Sequence, residues 1–106
     1  MGTFKKSYLT LLVLSLLREE MMYGYQICQV VKQRTSGRYE LKEGVLYPLL
    51  HGLEKSGLIR ADWRPRPEGG PDRCYFKLTE YGRKVLGEER EAFDYLVALL
   101  PGYQHG

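Results

Sequence analysis

The chain has 106 residues, a formal net charge of +3, 43% hydrophobic and 27% charged side chains. That length suits one domain with a modest core, small enough to gain from pairing with a second copy. Two cysteines, Cys28 and Cys74, exclude a disulfide framework and lack metal-site spacing, so both are read as reduced thiols, with no metal or other cofactor expected.

Lys5-Lys6 followed by the apolar run Tyr8–Leu17 superficially resembles an export signal. The run is too short to span a bilayer and ends in Arg18-Glu19-Glu20 rather than in a cleavage site. Met1-Gly2 is not a myristoylation start, because Lys6 stands where Ser or Thr is required. A cytoplasmic protein with no membrane partner is expected. Leu9–Leu17 is instead a core helix, apolar nearly all round, with one side for its own domain and another for a partner subunit. Lys5, Lys6 and Ser7 at its start either reach a phosphate or form a solvated terminus.

A second helix is predicted from Tyr23 to Thr35, with Ile27, Val30 and Val31 inward and Gly37 as its stop. It is the scaffold that sets the next helix at an angle. That next helix lies within Tyr39–Gly57, where Leu46, Leu49, Leu50 and Leu53 share one face. Gly44, Tyr47, Pro48, His51 and Lys55 fall opposite, a small, polar and basic face suited to a groove; a plain amphipathic surface helix is the bland alternative. Pro48 is read as close to the helix start, where a missing N–H costs least, and Gly57 as the residue just past its end. Gly44 keeps the entry slim enough for backbone amides to approach a phosphate.

Leu58–Arg64 and Cys74–Thr79 have strand composition, and between them PRPEGGPDR supplies stiffness through prolines and a reversal at Gly69-Gly70. Arg60, Arg64, Arg66, Arg73 and Lys77 decorate this hairpin against Asp62, Glu68 and Asp72. Such arginines either grip phosphates or merely keep an exposed hairpin soluble. A helix leading into an Arg-rich hairpin is the layout of a winged helix-turn-helix, which mostly reads duplex DNA. Charge is distributed accordingly. Lys55–Lys84 holds eight basic residues and four acids, whereas Gly87–Asp94 holds four acids and Arg90.

The last helix is predicted from Glu80 to Leu100, capped by Thr79 and stopped by Pro101-Gly102. Tyr81, Val85, Phe93, Leu96 and Leu100 form a stripe too long for a small domain to cover. A homodimer is expected, with Leu9, Val85, Phe93, Leu96 and Leu100 at its interface; packing as a monomer is the alternative. The fold class is therefore mainly α with a small β-hairpin wing, residues 1–79 forming a winged helix-turn-helix DNA-binding domain and 80–106 a dimerisation helix and tail.

Three stretches carry a family resemblance: MYGYQI (Met22–Ile27), LKEGVLYPLLHGLEKSGLI (Leu41–Ile59), and Trp63 followed by EGGPDRCYFKLTEYGR (Glu68–Arg83). In this order and spacing the chain resembles the PadR family of bacterial transcriptional regulators. The resemblance implies a winged-helix DNA-binding domain, a C-terminal dimerisation helix and usually repression of a nearby gene. Gly44, Leu46, Tyr47 and Pro48 match its recognition-helix motif, and Tyr23, Gly24 and Tyr25 the start of the preceding helix. Val45 departs from the usual Thr or Ser, exchanging a hydrogen bond for apolar contact, and Cys74 from a frequent Lys or Arg. The residues assigned to DNA are Lys5, Lys6, Tyr23, Lys42, Gly44, Val45, Tyr47, Pro48, His51, Arg64, Arg66, Arg73 and Lys77. Some members hold a planar aromatic molecule between subunits beside an aromatic of the last helix. Phe93 occupies that position here, which implies an effector pocket of Tyr8, Leu12, Ala92, Phe93 and Leu96; ordinary packing is the alternative.

An enzyme is not expected. His51 and His105, the two unclustered cysteines and the glycines assemble no nucleophile–base–orienter set, metal cluster or phosphate loop. The rival reading is a winged helix used to bind protein, since fold does not fix function.

Overall fold

The computed structural model describes residues 4–103; Met1-Gly2 and His105 lie outside the described residues. The elements run α1 (Lys6–Glu19), β1 (Met22–Tyr23), α2 (Gly24–Arg34), α3 (Glu43–Lys55), β2 (Ile59–Arg64), β3 (Arg73–Leu78) and α4 (Glu80–Leu99). Three helices with a β-hairpin after the third, and a fourth helix appended, make a winged helix with a C-terminal extension.

α1 is apolar on several sides because it is packed on several sides. Leu9, Val13, Leu14, Leu16 and Leu17 are buried between β3, α4 and the rest of the core. Leu9 is therefore committed to the protein's own interior, which corrects its assignment to a dimer interface. Tyr8, Leu11 and Leu12 remain half-exposed or exposed along one flank.

The sheet has the antiparallel order β1-β3-β2. Met22 pairs with Phe76, Ile59 with Leu78 and Ala61 with Phe76, so one face seals the core with Met22, Ile59, Phe76 and Leu78. β1 was not expected: Met22 and Tyr23 are too few to show a period, and only pairing with Phe76 and Tyr75 makes them a strand. As a consequence α2 begins at Gly24 rather than Tyr23. Ile27 and Val31 are buried as expected, while Val30 is only half-buried.

Both inner helices end in the same kind of hydrogen-bonded reversal. After α3, Gly57 N–H donates to Glu54 C=O at 2.9 Å and Leu58 N–H to Leu53 C=O at 3.0 Å, with φ of 80° at Gly57. After α2, Ser36 N–H donates to Gln33 C=O and Gly37 N–H to Lys32 C=O. There the left-handed residue next to the cap is Ser36, φ 51°, rather than Gly37 alone. α3 buries Leu46, Leu49, Leu50 and Leu53, the stripe read from the sequence. Pro48, however, lies inside this helix and not at its start, because α3 begins only at Glu43.

α4 is fastened at its base. Thr79 Oγ1 accepts from Gly82 N–H at 2.9 Å and donates to Gly57 C=O at 2.7 Å, which ties the cap to the α3–β2 turn. Gly82 is buried there, and a Cβ on it would collide with the Leu58 carbonyl. Leu86 is buried one turn on, an inward position absent from the expected stripe, whereas Tyr81 of that stripe is exposed. From Gly87 to Leu100 every residue except Val97 is exposed. Among the described residues no helix is long and apolar enough to cross a membrane.

Candidate nucleic-acid interface

Burying four leucines of α3 necessarily turns its other side outward. Lys42, Glu43, Gly44, Val45, Pro48, His51 and Lys55 are all exposed there. Tyr47 is the exception, half-buried with its ring against the first turn of α2. Burial, with Glu43 adding to it, pushes the Tyr47 phenol up, so it remains a neutral hydroxyl. The ring centroid of His51 stands 6.4 Å from that of Tyr47, one turn further along the helix.

The hairpin divides its residues by the two-residue alternation of strands. Register opposes Arg60 to Lys77, Asp62 to Tyr75 and Arg64 to Arg73 on the face away from the core. The expected arginines differ in how free they are. Arg73 binds Glu68 at 2.7 Å and lies 4.1 Å over the Tyr23 ring, with only 17% of its side chain exposed. Tyr23 in turn meets Tyr75 edge-on, with centroids 5.4 Å apart. The two residues assigned to DNA thus hold each other and the base of the wing, and neither is a free contact; the sequence shows Arg73 and Glu68 but not that the turn folds one onto the other. Arg64 bonds Asp62 at 3.1 Å yet keeps half its surface, and Lys77 is half-buried along the strand. Arg64 holds the Asp62 carboxyl below the usual carboxylate range, and Glu68 is lowered by a backbone hydrogen bond and by Arg73.

Arg66 leaves the strand and turns inward. Its Nε is buried with no hydrogen-bond partner among the described residues. It lines a groove of about 550 Å³ between the hairpin and the starts of α2 and α3, together with Tyr23, Tyr25, Glu43, Tyr47 and Trp63. Trp63 is 66% exposed. Tyr25, Glu43 and Trp63 join this face beyond the residues expected from the sequence. Alternation from Ile59 through Ala61 puts Trp63 on the side facing α3, so that signal was available.

Lys5 and Lys6 are exposed at the start of α1. Phe4 stacks on Tyr39, centroids 4.6 Å apart, and so holds this end of α1 to the segment leading into α3.

A second cavity, about 490 Å³ and mainly apolar, lies between α1 and α4. Tyr8, Leu12, Phe93 and Leu96 line it; Ala92 does not. Leu11, Ser15, Val97 and Leu100 extend each helix's set to spacings of three and four that periodicity already contains, and Phe4 and Tyr103 complete the wall. Phe93 is 41% exposed, Leu96 47% and Leu99 78%, while Val85 is half-buried. Among the described residues no group of His, Cys, Asp and Glu could hold a metal ion. Burial pushes the Cys28 thiol up to about 11, with Glu43 adding, and raises Cys74 as well. Both are poor nucleophiles at neutral pH.

The model of the transcriptional regulator PadR-like family matches residues 13–88. The PadR-like transcription factor of Bacteroides fragilis is 35% identical and superposes with a TM-score of 0.76, over 86% of this chain and 84% of that one. The transcriptional regulator YqjI of Escherichia coli is 33% identical over 88 residues, 83% of this chain but only 40% of its own length. The transcriptional regulator Rv3488 of Mycobacterium tuberculosis is 29% identical over 106 residues, covering 99% of this chain and 94% of that protein.

Proposed function

The chain belongs to the transcriptional regulator PadR-like family, and we propose that it is a sequence-specific DNA-binding repressor, acting as a homodimer on a pseudo-palindromic operator. The observation that carries this reading is the exposed front of α3 (Gly44, Val45, Pro48, His51) standing beside a hairpin that retains Arg60, Arg64 and Arg66. A convex helix flanked by cations fits a major groove and its bordering phosphates. Residues up to Thr79 supply this DNA-binding unit, and α4 supplies the dimer contact through its uncovered apolar residues. Nothing in the site suggests catalysis, and the proposed setting is the cytoplasm.

Two copies joined through α4 would close the α1–α4 cavity on its open side. We assign that cavity to a planar aromatic effector. An effector preferring a subunit arrangement with mis-spaced recognition helices weakens DNA binding by the factor by which DNA weakens effector binding.

One observation favours the rival reading, a protein-binding winged helix: Arg64 and Arg73 already hold carboxylates of the same hairpin. Salt dependence separates the two. For DNA binding, log affinity falls steeply with log salt, and Arg66→Ala lowers that slope by about 1 with similar losses on all duplexes. A salt-insensitive complex unaffected by Arg64→Ala and Arg66→Ala would favour the protein-binding role.

A further inference from the structure

The front of α3 carries an acceptor that helices ordinarily conceal. Each helical carbonyl accepts from the N–H four residues on. For Gly44 that residue is Pro48, inside α3, which has no N–H and whose ring crowds the carbonyl outward. Gly44 is exposed, and a Cβ there would meet no side chain and no other element within 4 Å, so the front of α3 is uncovered at this point. Immediately beside it Val45 exposes 54% of its surface as a bare branched methyl pair.

The backbone amides at the entry of α3 suit a phosphate, but this carbonyl and this valine do not. A carbonyl and a valine offer phosphate nothing, and Glu43, exposed at the same front, repels it. The combination instead matches base edges. In the major groove, adenine and cytosine present exocyclic amino donors and thymine presents a methyl; only the A·T pair presents both an amino group and a methyl.

We propose that the Gly44 carbonyl is a specificity-determining acceptor for the 6-amino group of an adenine, with Val45 against a thymine methyl of the same or the adjoining pair. The proline thus has a recognition role: it frees an acceptor that any other residue at position 48 would occupy. This inference rests on the DNA-binding reading above and names the base pair that the site reads.

The test uses the full chain and the duplex it prefers from a random library, with affinity followed by fluorescence anisotropy. Purine deoxyriboside, which lacks the amino group, replaces each adenine in turn, and deoxyuridine replaces each thymine. One adenine per half-site should show a loss of about fivefold on amine removal, the scale of a single hydrogen bond. One thymine should show a loss of about twofold to threefold on methyl removal, a small apolar contact. Pro48→Ala restores an N–H to Gly44 and favours the helix, so it should fold and yet erase the amine penalty. Val45→Ala should reduce the methyl penalty alone. A preferred duplex without adenine, no penalty at any adenine, or an amine penalty unchanged in Pro48→Ala overturns the inference while leaving DNA recognition standing. If no preferred duplex emerges, the DNA-binding reading falls and the inference with it.

Discussion

The Tyr47 ring lies so close to Gly24 that a Cβ at Gly24 would stand 2.5 Å from the tyrosine oxygen. Gly24 is the first residue of α2 and Tyr47 sits on α3, so this contact sets how closely the two helices approach. Tyr47 thereby positions α3 against the start of α2.

Gly24→Ala should destabilise the fold by about 1–3 kcal/mol, because the ring must move to admit the methyl. In a Tyr47→Ala background the same substitution should cost much less, giving a coupling of at least about 1 kcal/mol in urea denaturation. Additive effects would show that the ring gives way freely.

Ser36 holds φ of 51° after α2, a conformation that costs a side chain more than it costs glycine. Ser36→Gly should raise stability by up to about 1 kcal/mol, seen as a higher thermal midpoint. An unchanged or lower midpoint would mean that the added freedom of the unfolded glycine outweighs the relieved strain.

Cys28 has a raised thiol pKa, about 11 against an ordinary 9.0. The neutral thiol is the form the fold favours, so its stabilisation is complete below pH 9 and is lost as pH rises from there through about 11. Cys28→Ser should make stability fall less steeply over that range. Iodoacetamide at pH 8 should modify native Cys28 far more slowly than the unfolded chain. Equal rates would contradict the burial argument.

Leu96 and Leu99 stand out from the free part of α4. Leu96→Glu should convert a dimer to a 12.3 kDa monomer in sedimentation equilibrium while leaving the helical circular dichroism intact. A wild type that is already monomeric at micromolar concentration would remove the dimer from the account. In the same dimer, a planar dye should bind wild type more tightly than Phe93→Ala. Equal affinity, with the variant still dimeric, would exclude the α1–α4 cavity as its site.

The residues whose surroundings are local were legible in the sequence. The leucine stripe of α3, the Thr79 cap, the Gly57 reversal and the hairpin strands all follow from neighbours within a few positions. What escaped depends on distant partners. Met22-Tyr23 becomes a strand only through Phe76 and Tyr75. Leu86 turns inward because Gly82 lets α4 lie against the Leu58 carbonyl, which rotates the buried side of the helix away from Tyr81. Arg73 looked free because the Tyr23 ring beneath it arrives only when β1 pairs with β3, and Glu68 reaches it only once the turn has closed.

The central claim, that α3 and its hairpin read a DNA sequence, is tested most directly by selecting bound duplexes from a random library at two salt concentrations. The expected result is an enriched inverted repeat with half-sites about one helical turn apart, and affinity that falls steeply as salt rises. Weak binding with no enriched sequence and no response to salt would contradict it.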